Sequence, residues 1–161
     1  VSDLIDRARG QWREVRPELD TSGMAVIGRV LRLASLIRRG TDDLLAGHEL
    51  TRGEFDVLCA LRRNGVLNPG QISREMLSSG AAITKRLDRL ARLGLISRAA
   101  SERDRRVVQV RLTPEAETLI DDLLPRQLET ERAALEDLSE TEREELSILL
   151  GKVLHTVEGM G

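Results

Sequence analysis

Aromatic side chains are almost missing from this chain: among 161 residues there is one Trp, one Phe and no Tyr. Proteins that hold single-stranded nucleic acid stack its bases on aromatic rings, so that mode of binding is excluded. A single cysteine, Cys59, leaves no internal disulfide and no cysteine-rich zinc site. No apolar run approaches the ~20 residues of a membrane-spanning helix. The N-terminal stretch carries Asp3 and Asp6 and lacks the apolar core of a signal peptide. A cytoplasmic protein with no membrane partner is expected. His48 and His155 lie far apart, with no nucleophile motif, phosphate loop or metal-ligand cluster around them. No enzyme constellation stands out, and no cofactor is expected.

What the chain has is charge, unevenly placed. Its net charge is −2. From Ile83 to Arg111, however, nine Lys and Arg face three acids, a local +6. From Glu115 to Glu145 twelve acids face three bases, a local −9. Positive charge concentrated on one element is the footprint of a polyanion partner, and the acidic end cannot face the same polyanion.

The basic stretch predicts a helix followed by a β-ribbon. Ile83, Leu87, Leu90 and Ala91 recur at helical spacing and form one apolar stripe. The opposite face carries Ala81, Ala82, Lys85, Arg89 and Arg92, with Ser78 or Ser79 as cap and Gly94 just past the end. Small residues in the first turn permit close approach to a major groove, and long bases behind them reach base edges or phosphates. Ser79 and Thr84 join the DNA-facing set. The bland alternative is a solvated basic face. Upstream, Asn68-Pro69-Gly70-Gln71 opens a short helix to about Met76, and a turn at Ser78-Ser79 completes helix-turn-helix order. Ser73 and Arg74 on its outer side either touch phosphates or meet solvent. Thr51 with Glu54, and Ser139 with Glu142, form capping boxes that start two further helices. A short amphipathic helix is expected over Val1–Arg16, and longer ones from Thr21 or Ser22 to about Ala46 and from Thr113-Pro114 on, with Pro125 a kink.

After the basic helix, Leu95 to Arg98 reads as a short strand. Val107 to Leu112 alternates, with Val108, Val110 and Leu112 on one face. Between them lies Ser101-Glu102-Arg103-Asp104-Arg105-Arg106. The string from Gly94-Leu95-Ile96 through Asp104-Arg105-Arg106 to Val110-Arg111-Leu112-Thr113-Pro114 resembles the signature of the MarR family of bacterial transcription regulators. Ala116 departs from it, since the family often has Gly after the Thr-Pro. The resemblance spans about residues 21 to 158. It implies a mainly α fold: a winged helix-turn-helix with a small antiparallel β-wing and a helical dimerisation region. It also implies that Asp104 orients the wing and that Arg103, Arg105 and Arg106 contact the minor groove or nearby phosphates. The expected division is 1–48 for dimerisation and a possible ligand site, 49–113 for the DNA-binding lobe, and 114–161 for dimerisation. Cys59 has two readings: an oxidant sensor, as in some relatives, or a buried, inert thiol.

An N-terminal helix bearing Trp12, followed by Arg16-Pro17-Glu18-Leu19-Asp20, is similar to the branch of the family that responds to urate or related anions such as aconitate. That resemblance implies ligand residues at Trp12, Asp56 and Arg98, with Arg86 in the recognition helix as the switch. In this scheme Asp56 and Arg98 form an ion pair, and a planar anion stacked on Trp12 takes Arg98 away. The sequence therefore points to a homodimeric repressor that binds a palindromic double-stranded operator and is released by a small anion such as urate, aconitate or citrate. Two alternatives stand beside it: a constitutive architectural DNA-binding protein without ligand, and a helical module whose basic ribbon binds an acidic protein.

Overall fold

The computed structural model describes residues 2–101 and 106–160. In chain order the elements are α1 (Leu4–Val15), α2 (Ser22–Ala46), α3 (Arg52–Asn64), β1 (Val66–Leu67), α4 (Pro69–Glu75), α5 (Gly80–Arg92), β2 (Ile96–Ala100), β3 (Val108–Leu112), α6 (Pro114–Ala133) and α7 (Glu140–Glu158). The chain forms two compact units, Val1–Ile120 and Asp121–Gly161.

The helices begin where short polar side chains satisfy their first N–H groups. Thr51 and Glu54 cap α3 reciprocally, as do Asn68 and Gln71 at α4, with Pro69 in its first turn. Ser79 accepts from the Ala82 N–H at the start of α5. Each such cap contributes about 1 kcal/mol. A capping box at α1, Asp3 with Asp6, was not expected from the sequence. Thr21 precedes α2 without a side-chain cap bond; the Ser22 N–H donates to Asp20 instead.

In the first unit, α3 is the centre of the core. Phe55, Val57, Leu58, Ala60 and Leu61 are buried on it, together with Ile72 of α4 and Ile83, Leu87 and Leu90 of α5. Each large aliphatic side chain so buried stabilises the fold by roughly 1.5–3 kcal/mol. Ala91, assigned by periodicity to the buried stripe, sits in the last turn of α5 and is exposed.

The wing is a three-stranded antiparallel sheet in the order β1-β3-β2. Its register pairs Ile96 with Leu112, Arg98 with Val110 and Ala100 with Val108. Sequence periodicity missed β1, because two residues, Val66 and Leu67, show no alternation to detect. Val110 is fully buried whereas Val108, on the same face, is 43% exposed: the ribbon runs out beyond the core. At its base Gly94 takes a left-handed φ of 70° and the Thr113 hydroxyl donates to the Gly94 carbonyl.

Helix α1 is fastened to α2 by the fork of Arg29, which donates to Asp3 and Asp6 at 2.8 Å each. Gly28 makes room for Ile5: a Cβ there would lie 3.2 Å from the Ile5 Cδ1. In the second unit α6 continues through Pro125 without interruption, and Ser139 with Glu142 caps α7. Helix α7 buries none of its residues, and Ile148, Leu149, Leu154 and Val157 are more than half exposed. Among the described residues no helix is long and apolar enough to cross a membrane.

Candidate nucleic-acid interface

Helix α5 is strongly two-sided. Its inner face, Ile83, Leu87 and Leu90, is at most 1% exposed. Its outer face presents Ser79, Ala81, Thr84 and Lys85 to solvent, with Ala82 half-buried. The Thr84 hydroxyl donates to the Gly80 carbonyl one turn back, which leaves its methyl and oxygen at the surface. Ala82, Lys85, Arg86, Arg89 and Arg92 of this helix line a ≈ 380 Å³ depression shared with Thr51 and Glu54 at the start of α3. The expected wing residues Arg103, Asp104 and Arg105 lie outside the described residues. Arg106 is exposed just before the returning strand.

Three arginines of the expected site, one assigned to DNA contact, one to the switch and one to the ligand, have partners within the protein. Arg89 donates to the Glu54 carboxylate at 2.5 Å and to the Glu49 carbonyl at 2.6 Å. Burial alone would raise the Glu54 carboxyl. The Thr51 N–H and hydroxyl and the Arg89 guanidinium outweigh burial and hold it below the usual carboxylate range. Arg86 donates to the Ser78 hydroxyl at 3.1 Å, and its guanidinium lies over Gly53, where a Cβ would come within 2.8 Å of it. Arg86 thus joins the turn before α5 to the start of α3. Arg98 on β2 pairs with Asp88 of α5 at 2.7 Å and ties the wing to the helix.

The expected Asp56–Arg98 ion pair is therefore not formed. Asp56 pairs with Arg52, one turn away on α3, at 2.8 Å, and Arg52 also donates to the buried Thr41 hydroxyl of α2. Arg52 stands at i,i+4 spacing from Asp56 on α3, and Arg98 on β2 meets Asp88 on the adjacent α5, so each charge is satisfied on its own or a neighbouring element. Asp56 and Arg52 line a ≈ 270 Å³ cleft with Ala34, Ile37 and Arg38. Trp12 is 44% exposed on α1. Cys59 is 8% exposed, and burial, followed by the Asp56 charge, pushes its thiol up to about 11. Among the described residues no three His, Cys, Asp or Glu side chains form a group that could hold a metal ion.

The model of the MarR family matches residues 50–108, the stretch from the start of α3 into the wing. Over 156 residues the chain is 39% identical to the HTH-type transcriptional regulator PecS of Dickeya dadantii, covering 95% of this chain and 92% of that one. The chain belongs to the MarR family. It is a winged helix-turn-helix DNA-binding transcription regulator of that family and not an enzyme. Among solved MarR-like structures, Streptococcus pneumoniae FabT in complex with DNA superposes with a TM-score of 0.78 at 20% identity, covering 87% of this chain and 100% of that one. Bordetella bronchiseptica BpsR, described with the mechanism by which 6-hydroxynicotinic acid regulates its DNA binding, gives 0.70 at 26% identity over 79% of this chain and 91% of that one.

Sequence reasoning missed Glu54 as the partner of Arg89. Glu54 was legible only as a helix cap, and no local pattern reports a partner 35 residues downstream.

Proposed function

We propose that this MarR-family regulator is a homodimeric repressor that inserts α5 into the major groove of a palindromic duplex and is released by a small anionic effector. The observation that carries the DNA reading is α5 itself: its apolar face is fully committed to the core while Ser79, Ala81, Ala82, Thr84 and Lys85 line the opposite side. The wing arginines Arg103, Arg105 and Arg106, with Asp104 as their orienting carboxylate, complete the contact on the flanking minor groove or phosphates. Relatives captured on DNA support this mode of binding. The exposed aliphatic rows of α2 and α7 support a dimer, with residues 1–48 and 114–161 supplying its interface.

The effector reading assigns the anion to the urate- or aconitate-responsive type. Its seat is the cleft of Arg38, Arg52 and Asp56, where two guanidiniums flank apolar Ala34 and Ile37. There an incoming carboxylate competes with Asp56 for Arg52, in place of the Asp56–Arg98 exchange expected from the sequence. Trp12 reports on α1, and Arg98 and Arg86 transmit the change because they tie the wing and α3 to α5. The likeness to BpsR, whose DNA binding is regulated by 6-hydroxynicotinic acid, supports a small organic acid as effector.

Selection of bound duplexes from a random pool, repeated with urate, aconitate and citrate, tests both halves. A palindromic consensus is expected, with a roughly 5- to 150-fold loss of affinity in the effective anion, the range of a ~1–3 kcal/mol coupling. Trp12, the single Trp, should change its emission with that anion. No consensus sinks the DNA reading; a consensus indifferent to all three anions leaves a constitutive DNA-binding protein.

A further inference from the structure

Arg89 belongs by helical phase to the outward side of α5, yet its guanidinium is turned inward. One arm donates to the Glu54 carboxylate, the other to the Glu49 carbonyl. The Glu54 side chain is 4% exposed, and the oxygen that receives Arg89 also accepts the Thr51 N–H and hydroxyl at 2.8 Å each. One atom thus closes the capping box of α3 and holds α5. Glu49 has a φ of 54°, a left-handed conformation that non-glycine residues rarely adopt. Its carbonyl is aimed by a special backbone geometry.

Among the described residues, Arg89 is the one cation paired with the buried Glu54. Withdrawing it toward a phosphate would leave a carboxylate uncompensated out of water, which is costly. An exposed neighbour such as Lys85 has no such tie and reaches DNA freely.

We propose that Glu54 and Arg89 are positioning residues for DNA recognition: the pair sets the roll of α5 against α3 and withholds Arg89 from the phosphate backbone. This rests on the reading of α5 as the groove-binding helix. It revises the placement of Arg89 among the direct contacts. The roll matters because Ala81, Ala82 and Lys85 meet base edges only when α5 presents one particular side.

The test is the salt dependence of duplex binding by the full-length chain, on a selected duplex and on a scrambled one. Glu54→Gln retains an oxygen for Thr51, since Gln also closes capping boxes, and removes the charge that holds Arg89. Its slope of log affinity against log salt should steepen by about one unit as the released guanidinium finds a phosphate. Its preference for the selected duplex should fall about 10-fold, the discrimination of roughly one base contact. The double variant Glu54→Gln/Arg89→Ala leaves no buried ion unpaired. It should keep the unaltered slope and lose the preference, and Arg89→Lys should retain part of that preference. A slope flattened by about one unit in the double variant makes Arg89 a phosphate contact and overturns the proposal, as does a double variant with unchanged slope and unchanged preference. The double variant decides even where a single variant does not fold. If the unaltered chain shows no salt-dependent duplex binding, the DNA-binding reading falls, and the proposal with it.

Discussion

At the scale of single residues, exposure separates the side chains that solvent reaches from those that it does not. Arg106 is exposed just before the returning strand β3. Arg106→Ala should weaken operator binding and flatten the salt slope by about one unit, the signature of a lost phosphate contact. Asp104→Ala should add a further loss by releasing the wing from its orientation; equal slopes and affinities in both variants would take the wing out of recognition. Cys59 is the opposite case. A thiol that is nearly covered and pushed up to about 11 holds almost no thiolate at neutral pH, and the thiolate is the reactive form. Labelling of the native protein by a disulfide reagent should therefore be slow and should become fast only on unfolding. Rapid labelling coupled to release of DNA would restore the oxidant-sensor reading.

At the scale of elements, α1 depends on a charge clamp. Asp3 is lowered first by the Asp6 N–H that it caps and also by Arg29; Asp6 is lowered first by Arg29 and then by the Asp3 N–H. Because both folded values lie below the ordinary 3.8, their contribution is fully present above that pH and is lost as pH falls through the lowered values. Acidification should therefore loosen α1, and Trp12 on that helix should report it in fluorescence. Arg29→Gln, which removes the shared partner, should weaken α1 already at neutral pH and diminish its acid transition. An acid transition of Trp12 identical in both proteins would mean that the clamp does not hold α1. The wing has an analogous tie in Arg98–Asp88, but with Asp88 about half exposed it orients more than it stabilises.

At the scale of the whole molecule, the exposed aliphatic surface is the dominant fact. Helix α7 buries nothing, while α2 leaves Val26, Leu31 and Leu33 more than half exposed. Extended apolar rows of this kind mark association surfaces. The proposed homodimer should unfold at a midpoint that rises with protein concentration. Removing the chain from Ser139 onward should give insoluble or monomeric protein that no longer binds duplex DNA. Light scattering of the intact chain provides the opposing result: a well-folded monomer at micromolar concentration would leave these rows without their proposed partner.

The sequence by itself determined what local patterns can encode. The capping boxes at Thr51, Asn68 and Ser139 act across one turn, the stripe of Ile83, Leu87 and Leu90 across about two, and the hairpin of β2 and β3 across a short connection. Helix starts, the basic helix, the wing and the acidic end were legible for that reason, and the family resemblance followed from their order. The two residues of β1 were not, because their pairing with β3 is made across more than forty positions of chain. Nor were the partners of the charges. Several carboxylates are open to each guanidinium in sequence, and which one it meets is decided by ångström-level packing. Only the folded unit placed Arg52 rather than Arg98 on Asp56, Asp88 on Arg98, and the buried Glu54 on Arg89. The elements proposed to meet DNA could thus be read from local periodicity, while the side chains that hold them in place were chosen by the tertiary fold.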